Sequence, residues 1–323
     1  MSKWKKPLSA GAGLLATLTL SSVMAGPASA ATEPLSRPRV LVSYDLAAGE
    51  QPENVLVEPS GDLIVALSRA GKIERVTPKG ARQTLATLPK PADGGKNAPV
   101  LGFSLITGLA RTHDGTLFVG YVTGDAALTG IWRIQPGHKP HRIAALPATS
   151  FPNGMGLDAR TGKLYVADSA LGIIWQLRTS GGPITKWVDS TELDREDLLG
   201  ANGLKVHNGA VWVSNSDKGT LLRYPLGHTG RAGKPQVKIS GHGFIDDFTF
   251  IGRGDTVLAA MDPQNEVALF RPDGTATTVL TAADGLQGPT SIAVSRHTVY
   301  VMSASFVTNK DPNILVADLD RAR

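Results

Sequence analysis

Cysteine is absent from the 323 residues. That excludes a disulfide scaffold, a thiolate metal site and a cysteine nucleophile. No Gly-x-Ser-x-Gly elbow, His-Glu-x-x-His pair or phosphate-cradling glycine loop occurs either. There is no Lys/Arg stripe and no interleaving of basic and aromatic residues, so no nucleic-acid partner is expected. No apolar run reaches the ~20 residues that a spanning helix needs, so no membrane span is expected. What the chain does have is glycine and proline, 36 and 21 residues spread along its length. With 41% hydrophobic and 19% charged residues the composition is globular. Many turns between short strands is the composition of an all-β protein.

The charge belongs largely to the beginning. Lys3, Lys5 and Lys6 precede an uncharged run from Ala10 to Ala25, and Ala28-Ser29-Ala30 follows. This is the layout of a secretory signal peptide. Cleavage is expected after Ala30, leaving residues 31–323 as the mature domain and an extracellular, secreted protein. The leader holds three lysines and no acid, so most of the formal net charge of +5 leaves with it.

A repeat fills the remainder. Six segments share a polar start, an apolar strand, a turn and a second strand. Their starts are Glu53, Thr107, Asn153, Asn202, Asp246 and Thr290, spaced 54, 46, 49, 44 and 44 residues apart. That period fits four-stranded propeller blades. Third strands follow in all six units and fourth strands in five. The sixth unit runs out of chain after its third strand, while Arg39–Leu46 is an extra strand before the first unit. The fold class expected is therefore an all-β, six-bladed β-propeller whose N-terminal strand completes the last blade. An NHL-like or WD-like binding propeller shares that pattern.

In a propeller the first strand of each blade lines the central channel, so the six starting residues gather at one mouth. All six carry oxygen. Glu53, Asn153, Asn202 and Asp246 supply two carboxylates and two amide carbonyls, a donor set for a hard divalent cation. Calcium is the first choice; zinc, magnesium and manganese are alternatives. Asn-Gly also makes turns, and an Asn or Asp before a strand also bonds its own backbone. Asp247 competes with Asp246 for the ring position, because a one-residue slip reverses the facing of a strand.

Pro152-Asn153-Gly154 with Leu164-Tyr165-Val166-Ala167-Asp168, Ala201-Asn202-Gly203-Leu204 and Asp246-Asp247-Phe248, in this order and spacing, resemble the SMP-30/gluconolactonase/LRE-like family of six-bladed propellers. The resemblance covers most of the mature chain. It implies one divalent metal at the channel mouth held by Glu53, Asn153, Asn202 and Asp246, with Asp246 also the catalytic base, and a lactone or related ester as substrate. Two departures stand out. Glu53 is followed by Asn54-Val55-Leu56 rather than a Gly/Ser-Pro-x-Trp stretch. Phe151 occupies a place where sugar-acid lactonases carry arginine.

Around the ring, Thr107, Phe151, His242, Asp247 and Thr290 are the expected substrate contacts. Phe103, Phe151 and Phe244 precede ring positions and serve either an apolar mouth or core packing. Lys90–Pro99 reads as a flap between the first two blades, and Thr191–Gly200 as a short helical turn before the fourth. Asp168 and Asp217 are placed to cap turns. The expected function is a secreted, metal-dependent hydrolase of a small molecule, acting as a monomer. The alternatives are a non-catalytic extracellular binding propeller and a propeller that catalyses cyclisation or isomerisation.

Overall fold

A computed structural model describes residues 34–320. The signal-peptide reading of residues 1–30 lies outside them. Six antiparallel four-stranded sheets make up the described residues. Blade 6 takes its outer strand from the start of the chain, β1 (Leu35–Ser43). Blade 1 is β2 (Pro52–Val57), β3 (Leu63–Leu67), β4 (Lys72–Val76) and β5 (Arg82–Thr87). Blade 2 is β6 (Leu105–Arg111), β7 (Leu117–Val122), β8 (Gly130–Ile134) and β9 (His141–Ala145). Blade 3 is β10 (Pro152–Asp158), β11 (Lys163–Asp168), β12 (Ile173–Arg178) and β13 (Thr185–Asp189). Blade 4 is β14 (Ala201–His207), β15 (Ala210–Asn215), β16 (Thr220–Pro225) and β17 (Gln236–Ile239). Blade 5 is β18 (Phe248–Phe250), β19 (Val257–Met261), β20 (Glu266–Phe270) and β21 (Ala276–Leu280). Blade 6 continues with β22 (Pro289–Ser295), β23 (Thr298–Ser303) and β24 (Asn313–Leu319), and β24 pairs with β1.

The second strands are buried along their whole length except for the first residues of β11 and β23, Lys163 and Thr298; β3 and β19 are apolar throughout and β7 nearly so. Such strands are covered on both faces by neighbouring blades. The core is accordingly divided into clusters between adjacent blades. One joins blades 1 and 2 around Ile64, Ile73, Val119 and Trp132. Others follow between each successive pair. The last joins blade 6 to blade 1 through Met302, Ile314, Val316, Val65 and Leu67. Trp132, Trp175, Trp187 and Trp212 each belong to one of these contacts.

Two elements differ from the sequence reading. β1 begins at Leu35 and ends at Ser43, rather than spanning 39–46. Its pairing with β24 is interrupted around Arg37, whose φ is 51°, and Asp45 then starts a turn by accepting the Ala47 N–H. In the segment 191–200 only Thr191–Leu193 is helical, as a 3-10 turn. The rest is held by the Asp217 carboxylate, which accepts the N–H groups of Glu196, Asp197, Leu198 and Leu199.

Every inner strand departs from regular pairing at the same place. Two residues of the inner strand face one residue of the second strand, which is a β-bulge. The pairs are Glu53-Asn54 against Ala66, Thr107-Gly108 against Gly120 and Asn153-Gly154 against Ala167. Asn202-Gly203 faces Ser214 and Thr290-Ser291 faces Met302. In blade 5 the Asp246 N–H donates to the Ala260 carbonyl and the Ala260 N–H donates to the Asp247 carbonyl, giving the same arrangement. The bulges bring neighbouring inner strands very close. A Cβ on Gly108 would run into the Asn153 carbonyl, and one on Gly154 into the Asn202 carbonyl. A Cβ on Gly203 would lie 2.6 Å from Asp247 Cα.

Gly154→Ala is therefore expected to lower unfolding stability by about 1–3 kcal/mol through overpacking. Gly254→Ala is the control, since nothing lies within 4 Å of a Cβ there. Urea denaturation of both variants checks the pair.

Candidate functional site

The bulges place Glu53, Thr107, Asn153, Asn202, Asp246 and Thr290 around one end of the channel. All six are buried, with at most 7% exposure. This also resolves the blade 5 register. Asp246 is the first bulge residue, the counterpart of Asn202, and Asp247 is the counterpart of Gly203.

The amides are fixed from behind by serines. Asn153 Nδ2 donates to Ser169 Oγ at 3.1 Å, and Ser169 Oγ donates to the Ala201 carbonyl of the next blade. Asn202 Nδ2 repeats this with Ser216 at 2.9 Å, and Ser216 donates to the Ile245 carbonyl. Asn202 Nδ2 also donates to Asp246 Oδ1 at 2.8 Å. Both amide hydrogens of Asn202 are thus committed, which leaves its carbonyl oxygen as the group for a ligand.

The threonines are occupied otherwise. Thr107 Oγ1 donates to the Pro152 carbonyl and Thr290 Oγ1 to the Glu53 carbonyl, each joining one blade to the next. Asp247 is also engaged. Both its oxygens accept from Lys205 Nζ at 2.7 Å, and Oδ2 accepts from Ser291. Phe151 is 1% exposed and packs in an apolar cluster, its N–H donating to Asp168. His242 is exposed and its ring packs edge-on to Phe270, on the third strand of blade 5, rather than to a ring residue. The segment expected as a flap is packed down, with Ala98 buried in the same cluster as Phe151.

One carboxylate at this end is not among the expected residues. Asp262 follows the second strand of blade 5 at the position that Ser169 and Ser216 hold in blades 3 and 4. Across the six units this position reads Ser68, Val122, Ser169, Ser216, Asp262 and Ala304. Comparing the repeats one residue past the second strand would have singled it out. Blades 3 and 4 thus pair an amide with a hydroxyl, whereas blade 5 sets two carboxylates together.

The electrostatics follow. Burial pushes the Glu53 carboxyl up to about 8, with the Asp262 and Asp247 charges adding to the rise and the Thr290 hydroxyl opposing it. Burial pushes Asp262 up to about 7. Asp246 is raised well above the usual carboxylate range by burial, then by Glu53, Asp262 and Asp247, while the Asn202 amide opposes this. Glu53 Oε2 and Asp262 Oδ1 are buried without a hydrogen-bond partner. Buried acceptors left unpaired cost about 1–3 kcal/mol each, more when charged. They need a proton or a cation.

The donor set fits a hard divalent cation. Every donor is oxygen, two carboxylate oxygens are unpartnered, and the serines turn the amide carbonyls away from their own hydrogen bonds. No trio of His, Cys, Asp or Glu side chains among the described residues is placed to hold a metal ion. A site here would consequently draw on amide oxygens as well as carboxylates.

A cavity of about 540 Å³ lies between blades 1 and 2, lined in part by Glu58, Arg75 and Leu117. It sits at the opposite end of the strands from the ring. Its Glu58 is neutralised by Arg75 and Arg111, so it lacks the unpaired acids that mark the ring.

No protein-family model matches the chain, and no curated protein matches it in sequence. Solved structures do match. A gluconolactonase from Xanthomonas campestris is 14% identical with a TM-score of 0.65, covering 89% of this chain and 91% of that one. Regucalcin from Agrobacterium tumefaciens, described as a calcium-binding protein, is 16% identical with a TM-score of 0.64, covering 88% and 93%. Virginiamycin B lyase from Staphylococcus aureus is 14% identical with a TM-score of 0.57, covering 88% and 100%. At these identities the likeness is one of fold, the six-bladed β-propeller.

The raised carboxyls make a testable statement about pH. Folded protein keeps protons that the unfolded chain releases near its ordinary values of 4.5 for Glu53 and 3.8 for Asp262. Between those values and about 8 the folded state binds more protons, so stability falls as pH rises. Chelator-treated protein is expected to lose stability between about pH 5 and pH 8, and Asp262→Asn to flatten that slope. Urea unfolding across this range checks it; a rising slope contradicts it.

Proposed function

We propose that this protein is an exported, metal-dependent hydrolase of a lactone or related ester, with its chemistry at the ring of Glu53, Asn153, Asn202 and Asp246. The observation that carries the reading is the pair of buried acids at the axis, Glu53 with an unpartnered oxygen and Asp246 held by Asn202. The gluconolactonase and regucalcin folds support it at a coarse level.

Glu53, Asn153, Asn202 and Asp246 would hold the cation, with calcium favoured by the all-oxygen set. A divalent cation bound there supplies Lewis acidity toward an ester carbonyl and lowers the pKa of water. The remaining work falls to the chain. Asn202 fixes Asp246 by taking one of its oxygens, which leaves the other to accept a proton from water. Burial removes Asp246 from bulk water, so the proton it accepts passes to a carboxylate positioned at the ring. Lys205 and Ser291 neutralise and hold Asp247, so it does not compete for that role.

A pure binding scaffold is the second reading. Its weakness is energetic: a scaffold gains nothing from burying several acids together, and unpaired buried acceptors destabilise it.

The test joins metal content to activity. Purified protein is expected to retain about one divalent cation per chain by elemental analysis and to open lactones in a pH-stat assay. Asp246→Asn is expected to lower kcat/KM by about 10²-fold or more and to weaken metal retention. Protein that takes up no divalent cation and opens no lactone when cations are supplied in excess, or an Asp246→Asn variant of full activity, contradicts the reading.

A further inference from the structure

The polar ring lies beneath an apolar rim. Phe244 stands two residues before Asp246, and Phe103 stands four before Thr107. Phe103 and Phe244 pack, half-buried, with Val100 and Leu101 in one cluster over the buried Phe151 and Leu199. Loops of several blades thus meet above the mouth. Phe306, from the loop between β23 and β24, stacks on Phe103 with ring centroids 6.4 Å apart and planes 27° apart. Blade 1 lies between the blades that bracket this pair, so the two rings reach over the blade that contributes Glu53. Arg69, directly after Ser68, lays its guanidinium 4.4 Å from the centre of the Phe103 ring. Val100 is held at φ 68°, in the left-handed region that a β-branched residue rarely enters. Such a conformation persists only where its surroundings fix it.

We infer that this rim is a subsite for the hydrocarbon part of the substrate, so that the ester or lactone taken at the ring carries an alkyl or aryl substituent. The inference rests on the hydrolase reading for the ester and on the rim for the substituent. A polyhydroxylated substrate would press most of its hydroxyls against the Phe103, Phe244 and Phe306 rings, where Arg69 alone offers a donor, and burying unpaired hydroxyls is unfavourable. An apolar substituent instead removes both its own surface and that of the rings from water. Arg69 keeps its N–H edge clear, since it stacks on Phe103 and makes no hydrogen bond or ion pair among the described residues. That edge is available to a substrate oxygen at the outer end.

The test separates binding from turnover. Binding of γ-lactams bearing alkyl chains of increasing length, which resist hydrolysis, is measured by titration calorimetry on the full protein. The corresponding lactones and a polyhydroxylated lactone are assayed in parallel. Affinity is expected to rise about fourfold per methylene until the rim is filled. The Phe103→Ala/Phe244→Ala double variant is expected to flatten that rise, and Phe103→Leu to retain it. Should the double variant fail to fold, the chain-length series on the unmodified protein decides alone. Lactam affinity that climbs while no lactone is cleaved supports the rim and overturns the hydrolase. Lactones cleaved with flat lactam affinity, or a preference for the polyhydroxylated lactone, overturn the rim.

Discussion

Six inner strands have to converge on one axis, and at the mouth they come closer than ordinary side chains allow. The bulge in each strand is the solution to that crowding. It spends two residues where the neighbouring strand spends one, sends the first toward the mouth and leaves the second against the next blade. Where the second meets backbone it is Gly108, Gly154 or Gly203. Where there is room for a side chain it is Asn54, Asp247 or Ser291. Site and scaffold are therefore one device, because the same bulge that admits close packing also turns the ligand-bearing residue inward. Serine and threonine hydroxyls then tie blades 2, 3, 4 and 6 each to the next blade beside the bulge, without any disulfide.

The electrostatic consequence is a deliberate imbalance. Blades 3 and 4 satisfy their ring amides with serines, and those parts of the mouth are closed hydrogen-bond circuits. Blades 1 and 5 do not close. Glu53 and Asp262 keep buried oxygens without donors, and Asp246 has only the Asn202 amide. Unsatisfied acids cluster on one side of a rigid ring, which is the preorganisation that a binding or catalytic constellation requires. The Lys205–Asp247 ion pair marks the boundary of this region by cancelling the charge nearest to it.

The fold was legible because the repeat is strong. Starting residues recur at blade spacing, and the unpaired strand before the first unit is explained only by the incomplete last one. Glu53, Asn153, Asn202 and Asp246 were legible for the same reason, since each opens its unit. Strict alternation did not foresee the bulge, because backbone crowding at an axis leaves no signature in one strand alone. Aligning Asp246 with Asn202 nonetheless gave the correct register. Asp262 was hidden by where the repeat was cut, one residue short of the position that supports the ring. The substrate contacts were the least legible. Thr107 and Thr290 have their hydroxyls drawn into bonds between blades, and His242 is drawn to Phe270; each depends on a neighbour distant in sequence.

The proposed chemistry depends on a cation held by the ring of oxygen donors. Anomalous scattering from crystals grown with Mn²⁺, a probe for hard divalent sites, tests it most directly. One peak at the channel mouth, within bonding distance of Glu53, Asn153, Asn202 and Asp246, is the expected result. A mouth without a peak at saturating Mn²⁺, with Glu53 and Asp246 instead joined by a shared proton or bridged by water, would contradict it.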